Sequence, residues 1–267
     1  LFVSTALAYA SDGSELSLKL EISRAIEKGV GWLNDRQDKN AGNWGDPQYP
    51  ALTALALRVN LGLPDDMKSS ERKLLVGKGF DFIRNKVHTD GGIYGKGLAS
   101  YNTSISLMAL LQLGNPSDEE IIRAARRFLV NQQSDFDRKG ESDNVFDGGV
   151  GYGSTWAHSD MSNTHLALEA LYYARQTLSS REGEELELDW EAAVQFVSQC
   201  QNLPETNPQQ WVSSHAEDRG GFVYFPGSSM AGERRDENDS VSLRSYGSMS
   251  YAGLLSFIYA EMNPSDP

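Results

Sequence analysis

The stretch that decides the fold is Ala25-Ile26-Glu27-Lys28-Gly29-Val30-Gly31-Trp32-Leu33, then Gln37, Gly42-Asn43-Trp44-Gly45 and Ala51-Leu52-Thr53-Ala54-Leu55-Ala56-Leu57. It reads as an amphipathic helix, a Gly–aromatic turn and a second, more apolar helix. The plan returns three times. Gly79-Phe80-Asp81-Phe82-Ile83 leads to Asp90-Gly91-Gly92-Ile93-Tyr94-Gly95 and then to Thr103-Ser104-Ile105-Ser106-Leu107-Met108-Ala109-Leu110-Leu111. Ala125 to Gln133 leads to Asp147-Gly148-Gly149-Val150-Gly151-Tyr152-Gly153 and Thr164-His165-Leu166-Ala167-Leu168. Ala193 to Gln199 leads to Gly220-Gly221-Phe222-Val223-Tyr224 and Ser248 to Leu255. Matched on Trp44, Tyr94, Tyr152 and Tyr224, the copies are 50, 58 and 72 residues apart. The growth falls in Ser134–Asn144, Asn202–Arg219 and Gly227–Ser240, polar stretches that read as surface loops.

Within each copy the first helix is amphipathic; Leu18, Ile22, Ala25, Ile26, Gly29 and Leu33 share one face of the first. Ser117 and Glu120, ahead of Ile121-Ile122, read as a capping box. The second helix is apolar on several faces and should be buried. An outer amphipathic helix with an inner apolar partner, repeated, predicts an all-α solenoid that curves, with inner helices along its concave side.

Lys28-Gly29, Trp32-Leu33, Gln37, Gly42 and Trp44 resemble the Gln-Trp repeat of the squalene-cyclase and prenyltransferase superfamily, with Tyr in place of the last Trp in later copies. The resemblance runs from about Ala25 to Met262 and implies an α/α toroid (barrel) or an open arc of four helix-hairpin repeats. Closed rings of that family use more hairpins than four, which implies that residues 11–267 form an incomplete repeat domain. The apolar Ser245–Ala260 stretch points the same way, since it would otherwise expose one face. Leu1 to Ala10, closing on Ala8-Tyr9-Ala10, reads as the remnant of a signal peptide, so the protein is expected to be exported, periplasmic or secreted. Asn263–Pro267 resembles a loop between elements.

Composition bounds the function. With 24 basic and 37 acidic residues the chain carries −13, which argues against nucleic acid or an anionic membrane as partner. No apolar run is long enough for a transmembrane helix. The single Cys200 excludes an intrachain disulfide and reads as a packing residue at a helix end. The zinc set of the protein prenyltransferases, which the resemblance would otherwise imply, is therefore not expected; neither metal nor cofactor is. His158 and His165 lack the spacing of a helical metal pair.

The resemblance to squalene–hopene-type cyclases implies an Asp-x-Asp-Asp-Thr-Ala stretch opening an inner helix, whose middle Asp protonates an alkene. Here the match is Asp160-Met161-Ser162-Asn163-Thr164-His165, with Ser162 at the donor position. A serine hydroxyl cannot protonate a carbon–carbon double bond, so the acid motif is degenerate. The cluster Trp156, His158, Asp160, Asn163 and His165 sits where a helix N-terminus can bind polar or acidic groups. His165 reads either as a hydrogen-bonded core histidine or as an acid–base group. Glu233 to Asp239, ahead of Arg244 and Tyr246, reads as a solvated loop or as one that hangs Asp236 or Asp239 over the mouth. Asp90 and Asp147 read as Asx-turn residues.

The candidate catalytic residues are therefore Asp160, His165 and Asp239. The candidate ligand contacts are Trp156, His158, Asn163, Arg244, Tyr246 and Tyr251, with Tyr172, Tyr173 and Phe257 as further inner-helix aromatics. Three functions compete. A terpene cyclase or prenyltransferase-like protein would hold an isoprenoid-type molecule in an apolar lumen. A non-catalytic exported solenoid would bind an apolar small molecule, peptide or protein. A polysaccharide lyase on the same toroid would use Arg234, Arg235 or Arg244 as its base.

Overall fold

A computed structural model describes residues 12–67, 69–153, 158–179, 186–235 and 239–261. The expected signal-peptide remnant, the Asn263–Pro267 loop, Trp156 and Asp236 lie outside the described residues. The fold is mainly α-helical, with eight α-helices among the described residues: α1 (Asp12–Asn34), α2 (Pro50–Leu61), α3 (Ser70–Arg84), α4 (Ala99–Leu113), α5 (Glu119–Val130), α6 (Met161–Thr177), α7 (Trp190–Gln199) and α8 (Gly247–Glu261). Several begin on caps visible in the sequence. The Ser69 hydroxyl accepts from Arg72 N–H at 3.2 Å, Asp189 accepts from Ala192 N–H at 2.9 Å, and Pro50 opens α2 where no amide is needed. At the capping box expected at Ser117, α5 takes Asp118 as its N-cap residue. Asn115 accepts from Ser117 N–H, and Asp118 is instead buried as the bidentate partner of Arg84, at 2.7 and 2.9 Å.

The apolar helices form one row, α2 on α4, α4 on α6 and α6 on α8. The amphipathic helices flank it: α3 lies on α2, α5 on α4 and α6, and α7 on α8. Leu57, Leu107, Leu110, Leu168 and Leu171 are fully buried in this row. A second apolar cluster gathers Met161, Phe196, Cys200, Phe222 and Met249 around α7 and α8.

Each helix–turn–helix connection is fastened alike. A single antiparallel bridge closes each turn: Gln37 with Trp44, Val87 with Ile93, Gln133 with Val150, Gln201 with Phe222. The N–H of that second residue donates to a hydroxyl in the following helix, Trp44 to Thr53, Ile93 to Thr103, Val150 to Thr164 and Phe222 to Ser250, at 2.8–3.2 Å. These hydroxyls are buried or half-buried, so each bond satisfies a turn amide that no water can reach well. Gln37, Gln133 and Gln201 each donate from Nε2 to the turn carbonyl of Gly42, Gly148 or Gly220. The residue equivalent to Trp44 is thus Ile93, Val150 or Phe222. The tyrosines that match it by eye lie one position further on in the second connection and two in the third and fourth.

Two expectations change. The Gly227–Ser240 stretch is no plain loop, because Glu233–Arg235 (β1) pairs antiparallel with Val241–Leu243 (β2). And α1 does not bury its apolar face among the described residues: Leu18, Ile22 and Trp32 are exposed, and only its end, at Val30 and Asn34, is buried. Asn34 is held there by Asn60 of α2, each amide donating to the other at 3.0–3.1 Å.

Candidate functional site

The start of α6 is built around Asp160. Its backbone is extended, so its carboxylate turns back over the first helical turn as a cap. One oxygen accepts from Asn163 N–H at 2.9 Å and the other from Asn163 Nδ2 at 2.8 Å, and the residue has 0% exposure. Burial pushes the Asp160 carboxyl above the usual range, against the opposing pull of the Asn163 bonds and of His158. Ser162 meets Met249 Sδ at 4.0 Å.

Tyrosines and a thiol stand around that carboxyl. Tyr224 OH donates to Tyr152 OH at 3.2 Å, and the Tyr101 ring lies 6.4 Å from the Tyr152 ring. Burial, then the bond to Tyr152 and the charge of Asp160, push Tyr224 well above its ordinary value; burial and Asp160 do the same to Tyr246. Cys200 is fully buried and raised by burial and by Asp160, so it stays a thiol. His158 packs between Phe225, at 4.7 Å, and Phe146, at 6.3 Å. The arrangement keeps Asp160 dry and fully hydrogen-bonded, which suits a cap holding the α6 N-terminus and not a carboxyl presented to a substrate.

His165 is brought to a different group. Its ring lies 6.1 Å from Tyr259 of α8, whose ring is 5.3 Å from Tyr172 and 6.1 Å from Tyr173. Glu169, one turn along α6, pairs with Arg58 of α2 at 3.5 Å, an ion pair that reaches across α4. Burial lowers His165 below its ordinary value, Glu169 opposing, and its Nδ1 is buried without a partner. A neutral imidazole beside three tyrosines can accept a proton or a hydroxyl hydrogen bond. Arg58, Glu169 and Tyr259 were not among the residues read from sequence. The i, i+4, i+7, i+8 spacing of His165, Glu169, Tyr172 and Tyr173 marks that face of α6; Arg58 and Tyr259 join it only through the packing of separate helices.

The remaining expected residues are dispersed. The Asp239 side chain is 82% exposed and bonded to Arg235 at 2.9 Å, in the connection between β1 and β2. Tyr251 is 72% exposed on α8. The backbone of Arg244 is fixed by the Gly232 carbonyl. Arg234 binds Asp218 at 2.9 Å and Glu217 at 3.0 Å. Asp90 makes the expected Asx bond, from Gly92 N–H; the bonds of Asp147 run instead to earlier residues, its carboxylate accepting from Asn144 and Phe136 N–H.

Sequence reading missed the recess between α3 and the ends of α2 and α4. It has a volume of about 440 Å³ and is lined by Leu61, Leu63, Val76, Phe80 and Leu113 together with Asn60, Asn115, Arg72, Lys73 and Arg84, the last paired with Asp118. Among the described residues no cluster of His, Cys, Asp and Glu fits a metal ion, and no helix is long and apolar enough to cross a membrane. No protein-family model, curated protein or solved structure matches the chain.

Proposed function

We propose that the chain is an arc of four α/α hairpins, akin to the squalene-cyclase and prenyltransferase repeats, and that it binds an apolar, isoprenoid-type molecule without turning it over. The repeat reading is supported by the turn fastening that recurs at Trp44, Ile93, Val150 and Phe222, each amide on a hydroxyl of the next helix. The absence of turnover is supported by Asp160, whose oxygens are both engaged by Asn163, and by Ser162 at the donor position.

The observation that carries the ligand is the apolar recess beside α3. Its volume is in the range of ligand pockets, its walls are aliphatic and aromatic, and its edge is cationic. That composition suits a hydrocarbon chain with an anionic or hydroxyl head. It lies between an amphipathic helix and the apolar row, not on the concave surface where the family resemblance would put a lumen. The lyase reading is weakened because Arg234 and Arg235 are held by Asp218, Glu217 and Asp239. Export, read from Ala8-Tyr9-Ala10, is part of the proposal.

Calorimetric titration with farnesol and with farnesyl diphosphate tests this. Both should bind, the diphosphate more tightly. Leu113→Trp should abolish binding of both with the circular dichroism spectrum unchanged. Lys73→Glu should weaken the diphosphate alone. Absence of binding by either ligand refutes the ligand assignment.

A further inference from the structure

The recess beside α3 has a counterpart beside α5. The two helices dock alike: the Lys78 carbonyl oxygen of α3 faces Gly42 and the Ala124 carbonyl oxygen of α5 faces Gly91, 2.5 and 2.4 Å from where a Cβ would stand. Aligned on those contacts, Lys73, Val76 and Gly77 of α3 correspond to Glu119, Ile122 and Arg123 of α5. The counterpart is lined by Leu111, Glu119, Ile122, Leu178 and Ser179, and its volume is about 270 Å³ against about 440 Å³ beside α3. Both are built from internal elements; the larger draws only on α2, α3, α4 and their connections.

Arg123 accounts for the difference in size. It is 3% exposed, and its guanidinium donates to Glu119 at 2.8 Å and to the Ser179 carbonyl at 2.9 Å, both of which line the smaller recess. The side chain therefore fills that gap with protein atoms that are hydrogen-bonded in place. Gly77 stands at the same position of α3, and a Cβ there would meet nothing within 4 Å. Neither a positive φ nor a close backbone requires this glycine. In the interior of a fifteen-residue helix it is destabilising, because glycine gives up the most backbone freedom on folding. What it provides is open space above Val76, Phe80 and Leu113.

Charge changes at the same place. Glu119 is paired with Arg123 one helical turn on, whereas no carboxylate is paired with Lys73 among the described residues. Arg72 beside it donates to the Met67 carbonyl, a bond that cancels no charge. Arg84, deeper along α3, is held by Asp118 and Asp81. The opening of the larger recess is thus locally cationic on a chain that carries −13.

We infer that Gly77 is the residue that makes this recess a binding site, and that its occupant is a single-chain amphiphile with an anionic head. The chain lies across Gly77, in the space that Arg123 takes beside α5. The head, a carboxylate or a phosphate, sits at Lys73 and Arg72. The inference rests on the ligand reading above; it narrows that reading to an anionic head and assigns no ligand to the recess beside α5.

Calorimetric titration of the full chain with decyl phosphate and with decylammonium, below their micellar concentrations, tests it. The phosphate should bind about tenfold more tightly than the ammonium, or better. Gly77→Leu should weaken the phosphate about tenfold or more and raise the melting temperature of the unliganded protein, since it restores helix propensity without displacing an atom. A glycine kept for packing would lower that temperature instead. Lys73→Glu, which copies Glu119, should reverse the preference between the two heads. Phosphate binding by Gly77→Leu as tight as that of the unaltered chain overturns the inference and leaves the ligand reading standing. Equal affinity for the two heads overturns it too, on the side of the head. If the unaltered chain binds neither probe nor farnesyl diphosphate, this inference and the ligand reading fall together.

Discussion

The turns at Gly148 and Gly220 have the same chemistry and different surroundings. Both glycines sit at positive φ, both give their carbonyl to a glutamine amide, and both precede a residue fastened to a hydroxyl of the next helix. Over Gly148 lies the backbone of α7; over Gly220 no described residue lies. Whatever separates the two in experiment therefore measures the helix docked on one of them and not the turn.

The sharpest break in that comparison is Gly→Ala at each. At Gly148 the new Cβ adds left-handed strain to a collision with the Ala192 carbonyl, and chemical denaturation should show a loss of about 3–5 kcal/mol. At Gly220 only the strain applies, and the loss should be about 1–2 kcal/mol. Equal losses would mean that the docked helix contributes no steric constraint.

Truncating the leucines extends the contrast to the row of apolar helices. Leu107→Ala removes a fully buried side chain and should lower stability by about 3 kcal/mol in denaturant titrations. Leu254→Ala in dilute protein should change it by about 0.5 kcal/mol. A smaller difference is expected at the glutamines. Gln133 donates to Gly148 O and Asp189 O and accepts from Asp189 N–H, whereas Gln201 donates to Gly220 O. Substitution by Ala should destabilise by about 2 kcal/mol at the first and about 1 kcal/mol at the second.

The smallest expected effect concerns pH. Burial holds His165 below its ordinary value of 6.5, so the unfolded chain takes up the proton more readily than the folded one. That contribution to stability is full above 6.5 and falls away as pH drops below it. His165→Gln should flatten this limb of the melting-temperature profile and leave the alkaline side unchanged; an unaltered profile would place the imidazole in water.

Much of the helical framework is legible in the residues. The apolar stretch Ile105–Leu110 is a buried helix, Ala51–Leu57 is a helix buried on one side only with Leu52 and Leu55 exposed, and the Gly-Gly pairs mark turns because only glycine takes positive φ where a backbone crosses so closely. The register of the four turns was harder to read. Trp44, Tyr94, Tyr152 and Tyr224 attract attention by size, but the fastened positions are Trp44, Ile93, Val150 and Phe222, a set with no common residue type. The shared feature is a hydroxyl nine to twenty-eight residues later, at Thr53, Thr103, Thr164 or Ser250. A loop of changing length hides such a pairing from any fixed spacing.

The sequence by itself determined the mainly helical class, the four Gly-centred turns and the lack of a carboxyl at Ser162, because each depends on backbone preference or on the chemistry of one side chain. Tertiary structure alone decided that Asp160 is enclosed by Asn163, that Arg58 meets Glu169 across α4, and that Asp239 stands in solvent beside Arg235. It also decided that, among the described residues, a docked helix backbone lies over Gly148 and none over Gly220. Burial and charge pairing are properties of neighbours, and those neighbours lie as far apart along the chain as Arg58 and Glu169.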